Sequence, residues 1–118
     1  MVEVSDSVVA SLGRGDDCSM AWQIGSELAD SMGYGEHLMG MQPDQSKFLG
    51  HSVGLQLDES PVVARGFDRP LVDNGVMAIE PKLVFNDGSI GVEDTWVKTN
   101  QGMKRVTLDD SYDLIIDC

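Results

Sequence analysis

Between Gly75 and Thr99 two strand-like runs flank the turn sequence Asn86-Asp87-Gly88. Val76-Met77-Ala78-Ile79 forms the apolar part of the first run, and the second, Ile90 to Val97, is rich in β-branched residues. Asn-Asp-Gly supplies the positive φ that a tight hairpin requires, so the stretch is predicted to fold back on itself. That prediction constrains the chain more than any other, because it carries Glu80 and Glu93 onto neighbouring strands. Glu80 ends the apolar run and is followed by Pro81, which leaves a carboxylate at the tip of an apolar strand where an uncompensated charge is costly. Side chains directly opposite on one face of an antiparallel pair lie about 5 Å apart, a spacing at which two carboxylates share metal ions and, without an ion or a proton, repel.

A third group of the same kind is His51, flanked by Gly50 and Gly54, whose small size would let the backbone approach whatever the imidazole binds. One imidazole and two carboxylates make a mixed nitrogen and oxygen set, suited to Mn, Fe, Co or Zn rather than to a sulfur-seeking ion. The structural alternatives are a buried, hydrogen-bonded histidine and two glutamates that face solvent on their strands.

The segments carrying these residues are GHSVGLQLDE from Gly50, MAIEPK from Met77 and GVEDTWVKT from Gly91. In this order and spacing they resemble the C-terminal half of the catalytic domain of the pita-bread metallopeptidases, the creatinase/aminopeptidase family. That family includes Xaa-Pro dipeptidases (prolidases), Xaa-Pro aminopeptidases, methionine aminopeptidases and creatinase, and the nearest likeness is to the Xaa-Pro branch. The resemblance implies an α+β chain, half of a pita-bread fold, with two helices followed by a curved antiparallel sheet. It implies one unit over residues 1–118, with a helical part at 1–34 and a metal-ligand sheet at 47–108. It also implies a metal-dependent hydrolase with two divalent ions in the complete site. There His51 would hold one ion, Glu93 would bridge both, and Glu80 would be a ligand that also handles the proton of the attacking water. A peptide or small amide is the implied substrate, and a second copy of the chain is an expected partner.

Two departures from the family pattern bear on this. The family's paired Asp ligands lie upstream in a D-x10-D spacing; Asp6 and Asp17 have that spacing, but one falls in a helical stretch and the other at a helix cap. The chain is therefore expected to lack the two Asp ligands and to be inactive alone. Seven residues after His51, where prolidases carry a second His, stands Asp58, which joins Glu80 as a catalytic candidate, and four residues before His51 stands Lys47. Those substitutions keep two alternatives open: a non-catalytic pita-bread module for binding or assembly, and a creatinase-like hydrolase that does not cleave peptides.

Eight basic residues against twenty acidic ones give a formal charge of -12, which repels phosphate backbones and anionic lipid and argues against nucleic-acid or membrane partners. No apolar run approaches the roughly 20 residues of a membrane span, and the first residues lack the basic and apolar regions of a signal peptide, so the expected location is cytoplasmic. Cys18 and Cys118, far apart in sequence, are expected to be free thiols.

Elsewhere, Val2 to Leu12 reads as a helix closed by Gly13-Arg14-Gly15. Asp17 is the predicted N-cap of a second helix, whose apolar face would be Ala21, Ile24, Leu28 and Met32. The methionines here and at Met39 and Met41 are expected as core filler, and His37 as a surface or hydrogen-bonded histidine. Ser60 to Gly75 reads as a long connection in which Arg65 and Arg69 pair with nearby acids. Met103 to Thr107 reads as a further strand, and Leu108 to Cys118 as an edge strand or docking segment.

Overall fold

The computed structural model describes residues 1–41, 45–53 and 59–107. Two helices, α1 (Val2–Gly13) and α2 (Cys18–Ser31), and a 3-10 turn at Gly35–His37 come first. Then follow β1 (Phe48–Ser52), β2 (Glu59–Ala64), β3 (Val76–Ile79), β4 (Lys82–Phe85), β5 (Gly88–Gly91), β6 (Asp94–Thr99) and β7 (Gly102–Arg105). Five strands form an antiparallel sheet in the order β2-β1-β3-β6-β7, and β4 pairs with β5 in a separate two-stranded ladder.

α1 buries Val4, Val8 and Leu12 completely, a row of residues four apart. The face that α2 buries differs from the one its periodicity suggests: Cys18, Ala21, Gly25 and Ala29 are buried, Ile24 and Leu28 are half-buried, and Met32 is exposed. The reason is the closeness of the neighbours. A Cβ on Gly25 would lie 2.7 Å from Leu49 Cδ1 and 2.8 Å from Val8 Cγ2, so a row of small residues is what admits α1 and β1 to this side of the helix. Large apolar side chains on the same row would hold the elements apart, and they flank the contact instead.

Asp17 takes the extended conformation of an N-cap, but its carboxylate makes no capping hydrogen bond. The Cys18 and Ser19 amides donate to the carbonyls of Arg69 and Phe67, each at 2.9 Å, and the Ser19 hydroxyl donates to Asp68 Oδ1 at 2.6 Å. The helix start is thus satisfied by backbone some fifty residues away, an acceptor that local sequence does not reveal. Cys18, just inside that cap, is fully buried and free.

The stretch expected as a long connection contains β2, which runs antiparallel to β1 at the edge of the sheet. Pro61 is tolerated because an edge strand needs hydrogen bonds on only one side. Arg65, expected to pair with acids, instead lies over the Trp22 ring, 5.1 Å from its centroid. His37 is hydrogen-bonded, with Nδ1 2.9 Å from the Val84 carbonyl and its ring against Phe85. Met39 is buried, in keeping with core filler, whereas Met20 is exposed. Leu108 to Cys118 lies outside the described residues. Among the described residues no helix is long and apolar enough to cross a membrane.

Gly50 serves the sheet rather than a ligand. A Cβ there would stand 2.5 Å from the Ala78 carbonyl oxygen and 2.9 Å from Ile79 Cδ1, so its absence lets β1 and β3 close up. We expect Gly50→Ala to lower the unfolding free energy by about 1–3 kcal/mol, measured by urea titration; an unchanged midpoint would show that the strands have room to spare. Burial pushes the Cys18 thiol above its ordinary value of 9.0, with the Arg69 guanidinium pulling the other way. The folded chain therefore holds this proton more tightly than the unfolded one, a contribution complete below about pH 9 and lost as pH rises through the folded value. Cys18→Ala should accordingly flatten the alkaline fall in stability above about pH 9, and an identical slope in both proteins would contradict this.

Candidate metal centre

β3 and β4 on one side and β5 and β6 on the other belong to one long hairpin with a single register. Ile79 lies opposite Asp94, Lys82 opposite Gly91, and Phe85 opposite Gly88 across the turn. The same register places Glu80 opposite Glu93 and Pro81 opposite Val92. The Val92 amide donates to the Pro81 carbonyl at 3.2 Å, but Pro81 has no N–H to return, and the ladder breaks there. Glu80 points its own amide the other way, to the Leu49 carbonyl of β1 at 2.9 Å. Glu80 and Glu93 are thus a pair without mutual backbone hydrogen bonds, the kind in which Cα atoms come to about 4.5 Å and side chains are closest.

β1 adds the imidazole. His51 lies opposite Ala78, and Ala78 is two residues before Glu80, so His51 and Glu80 share a face. His51 Nε2 stands 3.8 Å from Glu80 Oε2. The other ring nitrogen, Nδ1, is 3.2 Å from the Ser52 carbonyl, which only accepts, so this contact is a hydrogen bond when Nδ1 carries a proton, and the tautomer protonated there alone leaves the Nε2 lone pair on the Glu80 side. The His51 side chain is 12% exposed and that of Glu80 23%, while Glu93 is exposed. Glu80 and Glu93 line a common cleft of about 300 Å³ together with Met39, Lys82 and Ser89.

This donor set has the nitrogen and oxygen chemistry that a borderline divalent cation takes, and the register gathers all three groups on one face. As placed, they are a close His51–Glu80 pair with a second carboxylate, Glu93, opposite Glu80 in the hairpin register. Among the described residues no three His, Cys, Asp or Glu side chains stand close enough to hold a metal ion. The residues therefore fit as part of a larger donor set and not as a closed site.

Of the other sequence candidates, Asp58 lies outside the described residues. Lys47 is exposed and lines a different, wider cleft of about 1150 Å³ beside α2, with Trp22 and Arg65. Asp6 is exposed on α1, and Asp17 sits at the start of α2. One group that sequence reasoning passed over is Asp94, which is buried directly after Glu93. It accepts a hydrogen bond from the Thr107 hydroxyl at 2.7 Å and faces Arg105 Nη1 at 3.8 Å. Its only signal in the sequence is a second acid in a run of β-branched residues.

Comparison with known proteins accounts for this architecture. Residues 1–100 match metallopeptidase family M24. An Xaa-Pro dipeptidase of Pyrococcus horikoshii is 30% identical over 108 residues, 91% of this chain and 29% of that enzyme. The crystal structure of the prolidase from the same organism superposes with a TM-score of 0.78 at 30% identity, covering 92% of this chain and 30% of that one. The prolidase from Pyrococcus furiosus gives a TM-score of 0.79 at 27% identity, covering 92% of this chain and 31% of that one. The chain thus spans less than a third of the length of these relatives. Two helices followed by an antiparallel sheet match part of the pita-bread domain of the prolidases. The chain belongs to metallopeptidase family M24, a family of metal-dependent enzymes.

Proposed function

We propose that this chain carries the His-and-Glu part of the metal centre of an Xaa-Pro-type peptidase, with His51, Glu80 and Glu93 as metal ligands. The observation that carries the reading is the 3.8 Å approach of His51 Nε2 to Glu80 Oε2, with Glu93 facing Glu80 across the hairpin. Two carboxylates on a close cross-strand pair repel, and a cation between them turns that repulsion into attraction. The ions proposed are two of Mn, Co, Fe or Zn in the complete site, the second held with the paired Asp donors of the family pattern. Asp6 is exposed on α1 and Asp17 starts α2, and alone the chain is proposed to bind metal weakly and hydrolyse nothing.

The chemistry such ions supply when bound is acidification of water and polarisation of a scissile carbonyl. The chain's own residues do the rest. The Ser52 carbonyl, 3.2 Å from Nδ1, orients the His51 ring with Nε2 toward Glu80, and Nε2 is the proposed ligand atom. Glu93 brings a second negative charge to the same cleft. Glu80, half-buried at the end of an apolar strand, is the proposed proton carrier: it would take the proton of the attacking water on a carboxylate oxygen and pass it to the departing amide nitrogen. The proposed substrate is a peptide or small amide, and β2 and β7, the edge strands of the sheet among the described residues, favour association with a second copy of the chain.

Asp58 supports a second reading. By the family pattern it stands where a substrate-side histidine is usual, and an ionised carboxylate cannot donate a hydrogen bond to a developing oxyanion. A creatinase-like hydrolase that acts on a non-peptide amide would accommodate that change.

Calorimetric titration of Mn²⁺ into the wild type, His51→Ala and Glu80→Gln tests the proposal, with circular dichroism confirming the fold of each. Saturable binding weakened about tenfold or more by either substitution is expected. Equal affinity in all three proteins, or no saturable binding up to about 1 mM, overturns it.

A further inference from the structure

Behind Glu93, on the opposite face of β6, lies an arrangement that the metal reading does not use. Asp94 is 5% exposed, and a buried carboxylate persists only where hydrogen bonds and opposite charge compensate its lost hydration. Its two oxygens have separate partners: Oδ1 accepts from the Thr107 hydroxyl at 2.7 Å, and Oδ2 faces Arg105 Nη1 at 3.8 Å. Thr107 is itself fixed, since its hydroxyl oxygen accepts from the Thr95 amide at 3.3 Å. Beside it, the Val106 amide donates to the Thr95 carbonyl at 2.9 Å. Arg105 extends over the Trp96 ring, 5.8 Å from its centroid. The chain just past β7 therefore fastens the first residues of β6 by side chain and backbone together.

The position of that fastening matters because of what lies on its other side. Glu93 sits at the break in the hairpin, beyond the last β3–β6 pair at Ile79 and Asp94 and before the Val92 to Pro81 hydrogen bond. Its pairing with Glu80 contributes no backbone hydrogen bond, and Pro81 removes one from the next pair. Glu93 lies outside both ladders, so the place of its backbone is set by the residues on either side of it. Asp94 is one of them, and its register opposite Ile79 is the last point at which the main sheet grips β6.

We infer that Asp94, clamped by Thr107 and Arg105, is a positioning residue that holds Glu93 against Glu80 and so sets the strength with which the hairpin takes up a divalent cation. The inference rests on the proposed metal role of Glu93. Asp94 itself touches no ion; its carboxylate is on the far face of the strand, and its effect passes through the backbone between residues 93 and 95.

The test is a double-mutant cycle on Mn²⁺ affinity, measured by calorimetry on the full chain: wild type, Thr107→Val, Glu93→Gln and the two combined, with Thr107→Ser as the conservative variant. Thr107 is exposed apart from its hydroxyl contact, and valine keeps its shape, so the fold is retained; Asp94→Asn provides a second route to the same lesion. Thr107→Val and Asp94→Asn are expected to weaken binding by about tenfold and Thr107→Ser to restore it. Thr107→Val is expected to have no further effect once Glu93 is Gln, because a clamp that acts through Glu93 has nothing left to position. Equal loss from Thr107→Val in both backgrounds overturns the inference and makes the clamp merely structural. So does a normal affinity in Thr107→Val and Asp94→Asn when Glu93→Gln binds weakly. If Glu93→Gln itself binds as the wild type does, the metal role of Glu93 fails and this inference falls with it.

Discussion

A proline that cannot donate a hydrogen bond organises the site. The hairpin from Val76 to Thr99 keeps one register throughout, and an uninterrupted ladder would make it a plain two-stranded arm. Pro81 withholds one donor, the ladder divides, and Glu80 and Glu93 come to face each other at the division. The main sheet lies on one side of that point, with β1 delivering His51, and the short β4–β5 ladder lies on the other, with Lys82 and Ser89 on the cleft wall. Two like charges on a close pair repel, and opposite charge brought near them, as from Lys82 on the cleft wall or from a bound cation, offsets that repulsion.

The rest of the structure holds β1, β3 and β6 in place. β1 and β3 approach closely because Gly50 offers no Cβ to the Ala78 carbonyl. The helices are brought onto the sheet by the small-residue row of α2, with Val8 and Leu49 meeting over Gly25. The start of α2 is tied to the turn after β2 by amides that donate to Phe67 and Arg69. β6 is secured from its far side by the Asp94, Thr107 and Arg105 contacts. Each of these is a contact between segments distant in sequence.

The hairpin, both helices and the place of Glu80 at the end of an apolar strand were legible in the residues themselves, because each leaves a local mark: turn chemistry at Asn86-Asp87-Gly88, apolar spacing in the helices, and a carboxylate at the end of an apolar run. The face of α2 was not legible, since periodicity marks where large apolar side chains recur and the buried row is Ala21, Gly25 and Ala29. Nor was the cap, where Asp17 has the right residue type but the carbonyls of Phe67 and Arg69 reach the amides instead. β2 was masked by Pro61, which argues against a central strand but not against an edge one.

What the sequence by itself determined is which groups are present and how they are spaced along the chain: a family pattern, an acidic surface, and a His and two Glu on strand-like segments. The tertiary structure alone decided their relation to one another. His51 and Glu80 are twenty-nine positions apart, and only the β1–β3 register sets Nε2 3.8 Å from Oε2. Glu93 faces Glu80 only because the hairpin carries no bulge across the Pro81 break. Register is a property of paired strands, and a shift of one residue would send each of these side chains to the opposite face, so no reading of a single segment can supply it.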